Sequence, residues 1–157
     1  MKAMKAMKDM QDNLTKPRVL VIDDQASIRF LIARLLSRNF EVACARDVDD
    51  GLSRLAAFKP DVILMDVDMP GKNGIEGLQE ILKLDLGVRV IVMTGSFLSA
   101  DRDSFIALGA DAFIPKPFAT RELFDLVTRL AGGRSERRSP CAAEDPRHFP
   151  CELLDII

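Results

Sequence analysis

Apolar residues along the chain fall into two kinds of block that take turns. Short, almost unbroken apolar runs occupy 19–22, 62–65 and 88–93, with less regular ones at 40–45 and 111–115. Runs of this length bounded by turn residues predict strands buried on both faces of a parallel sheet. Between them lie segments whose apolar residues recur three or four positions apart, the spacing of one helix face. The first carries Ile28, Leu31, Ile32, Leu35 and Leu36; the second, capped by Asp47, turns Leu52, Leu55 and Ala56 inward. Ile75, Leu78, Ile81 and Leu82 mark a third helix ended by Gly87. Phe105 and Ile106 mark a short fourth over 100–108, with Gly109 just past its end. Leu123, Leu126, Val127 and Leu130 stripe a fifth over 120–131. Five strands alternating with five helices predict an α/β domain over 17–131, built on a doubly wound five-stranded parallel sheet.

The flanks read differently. In residues 1–16, Met4, Met7, Met10 and Leu14 sit at helical spacing among charges, which predicts a helical or frayed extension, with partner binding as a second reading. Residues 132–157 lose all periodicity and gain prolines, so they read as a flexible tail. A length of 157 residues suits one core, and a formal net charge of −2 offers no electrostatic reason to expect nucleic acid or an anionic membrane as partner. No apolar run approaches the ~20 residues needed to span a bilayer. Cys44, Cys141 and Cys151, an odd set without a pairing pattern, point to reduced thiols and a cytoplasmic setting. Cys44 is expected as an apolar filler in its strand. Cys141, His148 and Cys151 lack a nearby fourth ligand for zinc, and the arginines from Arg134 to Arg138 read as a solvated linker.

Chemistry concentrates at the strand ends. Asp23 and Asp24 follow the first strand, Asp66 the third, Thr94 the fourth and Lys116 the fifth. A lone Asp after a strand serves as well to cap the next helix, and that reading stands for Asp66, Asp23 and Asp24 taken singly. In a right-handed sheet of order 2-1-3-4-5, however, the first and third strands are neighbours at the switch point, and their carboxylates converge in one cleft. Carboxylates so close repel unless a positive group lies among them. Oxygen-only ligands with open positions suit Mg²⁺. A lysine and a hydroxyl beside such an ion are donors for a phosphoryl group, and an Asp among them is a nucleophile that can take one.

Four stretches in order, VLVIDD (19–24), VILMDVDMPGKNG (62–74), VIVMTG (90–95) and LGADAFIPKPF (108–118), resemble the receiver domain of two-component response regulators, over roughly residues 16–131. The resemblance implies the flavodoxin-like, CheY-like fold and a site worked residue by residue. Asp66 would be the phospho-acceptor. Asp24 and Asp66 would bind Mg²⁺ directly, with the Asp68 backbone carbonyl as third protein ligand and Asp23 acting through water. Lys116 would pair with a phosphoryl oxygen, ahead of a cis Lys116–Pro117 bond. Thr94 would swing toward the phosphoryl group, and Phe113 would follow from an exposed to a buried rotamer. Asp68 and Ser96, two residues beyond Asp66 and Thr94, would tune the lifetime of the phosphate, with a sign that the residues alone leave open.

The output implied is that of a stand-alone switch rather than an enzyme, since no room follows for a DNA-binding domain. It would take phosphate from a sensor histidine kinase or histidine phosphotransferase, because His148 lies in the tail, and it would pass the signal to another protein or along a relay. No direct DNA binding and no membrane contact are expected. Ala112 stands where winged-helix regulators usually place an acid that bridges a dimer, and apolar Leu126 faces the same region, so a monomer or weak dimer is expected. Two alternatives stay in view. Asp66-Val67-Asp68 also fits the D-x-D of haloacid-dehalogenase-like phosphatases, although that motif normally follows the first strand. The other is a receiver-like scaffold that works without phosphorylation.

Overall fold

The structure, a computed structural model, describes residues 16–70, 74–84, 86–95 and 99–133. Strands β1 (Arg18–Ile22), β2 (Glu41–Ala45), β3 (Val62–Asp66), β4 (Arg89–Thr94) and β5 (Ala112–Pro115) alternate with helices α1 (Ala26–Leu36), α2 (Val48–Phe58), α3 (Gly74–Lys83), α4 (Ser99–Leu108) and α5 (Thr120–Gly132). All four strand pairings are parallel, and the order is β2-β1-β3-β4-β5. The doubly wound sheet expected from the alternation of blocks is therefore the fold. The 1–16 extension, apart from Lys16, and the 132–157 tail beyond Gly133 lie outside the described residues, together with Cys141, His148, Cys151 and the 134–138 arginines.

Strand alternation splits the core into two layers. Leu20, Ile22, Ile63, Met65, Val90 and Val92 face one way, against Val48 and Leu55 of α2, Leu78 and Ile81 of α3 and Phe105 of α4. Val19, Val21, Val62, Leu64, Ile91 and Met93 face the other way, against Ile32 and Leu36 of α1 and Leu123 and Val127 of α5. β3 is central and buried at all five positions, which is why its sequence reads as a continuous apolar run.

Helix ends follow local chemistry. The Asp47 carboxylate accepts the Asp50 N–H at 2.7 Å, the cap expected for α2. At the end of α4, Gly109 has a positive φ of 112°; its N–H donates to the Ile106 carbonyl at 2.9 Å, and the next N–H, of Ala110, to the Phe105 carbonyl at 3.1 Å. This is the paired closure that favours glycine after a helix. Gly87, also at positive φ, lies past the end of α3 in the turn to β4 rather than on the helix itself.

Some inward assignments fail. Leu31 on α1 and Ile75 on α3 are exposed, and so is Ala56 on α2, where Phe58 takes the inner position. Leu31 lies beside the Ile28–Ile32–Leu35–Leu36 stripe rather than within it, and Ile75 sits at the open first turn of α3. The inner face of α3 instead includes Gly77, where a Cβ would meet Val48 and Met65 side chains. Phe40 precedes β2 rather than starting it, and is buried edge-on against Phe124. Cys44 is half-buried, and burial pushes its thiol up despite the opposing Arg29 and Arg54 charges.

Gly74 opens α3 against the loop that leaves β3, and a Cβ there would drive into the Val67 Cα and carbonyl. These are backbone atoms with little room to yield. Gly74→Ala is expected to cost about 2 kcal/mol, in the range of overpacked sites, seen as a lower urea midpoint with an unchanged slope.

Candidate functional site

Register sets the site. Ile22 of β1 is level with Met65 of β3, so the residues that follow, Asp23 and Asp66, leave the sheet side by side. Asp66 is level with Met93 of β4, and Thr94 with Pro115 of β5. Thr94 thus sits one step beyond Asp66, and Lys116 one step beyond Thr94. The Lys116 N–H continues the pairing by donating to the Thr94 carbonyl at 2.7 Å. Lys116–Pro117 is a cis peptide.

Asp23, Asp66 and Thr94 are the buried polar residues of the described core, at 0%, 1% and 1% exposure, whereas Asp24 is exposed. Asp23, Asp24 and Asp66 each offer a carboxylate oxygen within 4.8 Å of the others. The Lys116 ammonium reaches back into this cluster, with Nζ 2.9 Å from Asp23 Oδ2 and 3.0 Å from Asp66 Oδ2. The remaining oxygens of the buried pair accept backbone N–H groups: Gln25 on Asp23 Oδ1 at 2.8 Å, and Asp68 on Asp66 Oδ1 at 2.9 Å. The five residues expected at the strand ends do come together. Phe113, half-buried, packs against the α2–α3–α4 core layer. Ser96 lies outside the described residues.

Two sets of contacts carried no sequence signal. Arg29 of α1 donates through Nη1 to the carbonyls of Asp23 and Asp24, at 2.6 and 2.9 Å, and so clamps the loop that holds both acids. An arginine on a helix normally reads as solvated. The Asp68 side chain is the other: its carboxylate accepts from the Thr94 hydroxyl and from the Gly95 N–H.

The Lys116 ammonium pairs with two of the three clustered carboxylates, those of Asp23 and Asp66, so the cluster holds more acidic groups than cations to offset them. Burial is the main reason that the Asp66 carboxyl is held above its ordinary range; the Asp68 N–H and Lys116 pull it back in part, and the Asp23 charge pushes it further up. Burial pulls Lys116 down, but the hydrogen bonds and charges of Asp23 and Asp66 outweigh it and hold the ammonium above its usual value. An oxygen-only donor set of this kind, with charge left to neutralise, fits a hard divalent cation such as Mg²⁺.

Comparison with known proteins bears on what such a site belongs to. The model of the response regulator receiver domain matches residues 19–128. A probable transcriptional regulator, ycf27 of Guillardia theta, is 39% identical over 110 residues, covering 69% of this chain and 43% of that protein. This chain therefore spans less than half the length of that relative. Among solved structures, the receiver domain of the Francisella response regulator 1452 is similar at a TM-score of 0.70 and 28% identity, covering 74% of this chain and 97% of that one. The chemotaxis protein CheY4 of Vibrio cholerae is similar at 0.69 and 26% identity, covering 74% and 99%.

The raised Asp66 carboxyl has a consequence for stability. A group whose folded value lies above its unfolded one stabilises the fold only while protonated, and that contribution is lost as pH rises through the folded value. Ionising Asp66 in the folded chain therefore costs stability. In chelator, Asp66→Asn is expected to raise stability, and the gain should shrink on acidification. Thermal melts across pH check both the sign and the trend.

Proposed function

Because the chain belongs to the response regulator receiver family, we propose that it is a phosphorylation-activated signalling switch that takes a phosphoryl group onto Asp66 from a sensor histidine kinase or histidine phosphotransferase. The observation that carries this reading is the Lys116 ammonium bridging Asp23 and Asp66 at the C-terminal edge of the sheet. It supplies a cation where negative charge would gather during transfer.

Asp24 and Asp66 would hold Mg²⁺ through their carboxylates, with the Asp68 backbone carbonyl as a third ligand and Asp23 contributing through water. Bound there, Mg²⁺ would screen the carboxylates and draw charge off the phosphoryl oxygens. The chain's own residues do the rest. An Asp66 oxygen attacks phosphorus; the P–O bond forms as the P–N bond to the donor imidazole breaks, and the nitrogen keeps the electron pair. Lys116 stays with a phosphoryl oxygen. Thr94 then turns its hydroxyl toward the phosphoryl group, and Phe113, on the same sheet face, moves into the space that this opens. Ser96, with Asp68, would border the path of the water that ends the signal.

The product stays on the chain, which makes this a switch and not a turnover enzyme; its output would be a surface read by another protein or a relay. We assign no DNA contact to this domain. The ycf27 relative, named a probable transcriptional regulator, is matched over 43% of its length. Ala112 and Leu126, both packed on the α1–α5 core layer, support a monomer or weak dimer over an acid-bridged pair. The cysteine pattern supports a cytoplasmic setting; among the described residues no helix is long and apolar enough to cross a membrane.

Incubation with phosphoramidate and Mg²⁺ is expected to add a single hydroxylamine-labile phosphate to each chain, seen by intact mass. Chelator should abolish the labelling, and Asp66→Asn should accept none. Labelling of the Asn variant at the wild-type level would sink the reading. Steady release of phosphate from a generic ester would instead favour the D-x-D phosphatase alternative.

A further inference from the structure

Asp68 stands two residues beyond Asp66, and its backbone N–H already serves the Asp66 carboxylate. Its side chain does something separate. Oδ2 and Oδ1 lie 2.9 and 3.1 Å from the Thr94 hydroxyl, and Oδ2 also accepts the Gly95 N–H. Two adjacent donors at the end of β4 are thus turned onto one carboxylate. That carboxylate is an oxyanion, the same kind of acceptor as a phosphoryl group.

We propose that the Asp68 side chain is a positioning residue that holds Thr94 and Gly95 in the resting arrangement by standing in for the phosphoryl group. The idea rests on Asp66 being the acceptor. A hydroxyl has a single proton, so Thr94 can donate to Asp68 or to a phosphoryl oxygen but not to both. Hydrogen bonds to an ionised acceptor are about twice as strong as neutral ones. Asp68 therefore offsets much of what Thr94 would gain by turning to the phosphoryl group, and keeps the unphosphorylated chain in its resting state. This gives a sign to the role of Asp68: its carboxylate opposes activation, and it acts through Thr94 rather than only by repelling negative charge.

Beryllofluoride with Mg²⁺, a non-covalent stand-in for the phosphoryl group on a carboxylate, separates these possibilities by NMR titration of the full chain. Asp68→Ala is expected to bind it about tenfold more tightly than wild type, the factor that corresponds to one charge-assisted hydrogen bond. Asp68→Asn, which keeps an acceptor oxygen without the charge, should fall between. In a Thr94→Val background the gain from Asp68→Ala should shrink to about threefold or less, leaving the through-space and Gly95 share. In the ligand-free protein, the Gly95 amide proton should resonate downfield and exchange slowly; Asp68→Ala should lose both features and Thr94→Val should keep them.

If wild type binds beryllofluoride and Asp68→Ala binds it no better, the positioning role is wrong while the acceptor site stands. If the gain persists in full without the Thr94 hydroxyl, Asp68 acts by charge alone and the proposal fails. If neither protein binds it, the Asp66 acceptor reading falls and takes this one with it.

Discussion

The ammonium of Lys116 is the interaction on which the rest of the site depends. Asp23 and Asp66 are both buried, and Asp24 brings a third carboxylate to within 4.8 Å of each. Without a cation between them, two buried carboxylates this close would disfavour each other's ionisation. Lys116 reaches them across the end of β4, which lies between β5 and β3 in the sheet. It can do so because alternation along β4 sends Thr94 to the opposite face from Met93, and the space over that strand end is left for the lysine stem. Arg29 steadies the same arrangement from α1, by holding the carbonyls of Asp23 and Asp24 and thus the loop that presents them.

Strand parity also divides the work between the two faces of the sheet. Counting by twos along β1, β3 and β5, Asp23, Asp66 and Lys116 belong to the side of Val21, Leu64 and Ile114, the side packed by α1 and α5. Counting along β4 and β5, Thr94 belongs with Val90 and Val92, and Phe113 pairs with Val92 on that same side, beneath α2, α3 and α4. The charged cluster and the Thr94–Phe113 pair therefore sit on opposite faces and meet only at the strand ends. Under the proposed function, a change at Asp66 would reach the other face of the sheet at Thr94.

Much of this was legible in the order of residues, for a physical reason. In a parallel sheet buried on both faces, hydrophobicity marks the strands directly, and the polar residue that ends each apolar run must emerge at one edge. Asp23, Asp66, Thr94 and Lys116 were all of this kind. The helices were less legible because an apolar stripe does not show how far a neighbour shields its margins, so Leu31, Ile75 and Ala56 were placed inward although they are exposed. The inner face of α3 is closed partly by Gly77, a residue that hydropathy cannot see. Arg29 was missed because its value lies in two backbone carbonyls, and backbone groups leave no trace in side-chain patterns. For Asp68 the position was visible, but not the partner that its carboxylate would choose.

That choice gives the site its asymmetry. Asp68 lies one strand from Thr94, and the one-residue stagger between β3 and β4 puts the residue after Val67 within reach of the end of β4. Had the register been flush, Thr94 would stand beside Asp66 itself, and its hydroxyl could have served that carboxylate from the start. The stagger instead gives the hydroxyl the Asp68 carboxylate, just off the Asp66 side chain. A switch needs two arrangements that differ by a few kcal/mol, so that a modest input can exchange them. Under the proposed function, one donor would face two nearby oxyanion positions, one permanent and one conditional on phosphorylation, and would have that character. The β3–β4 register creates it as much as any single side chain does.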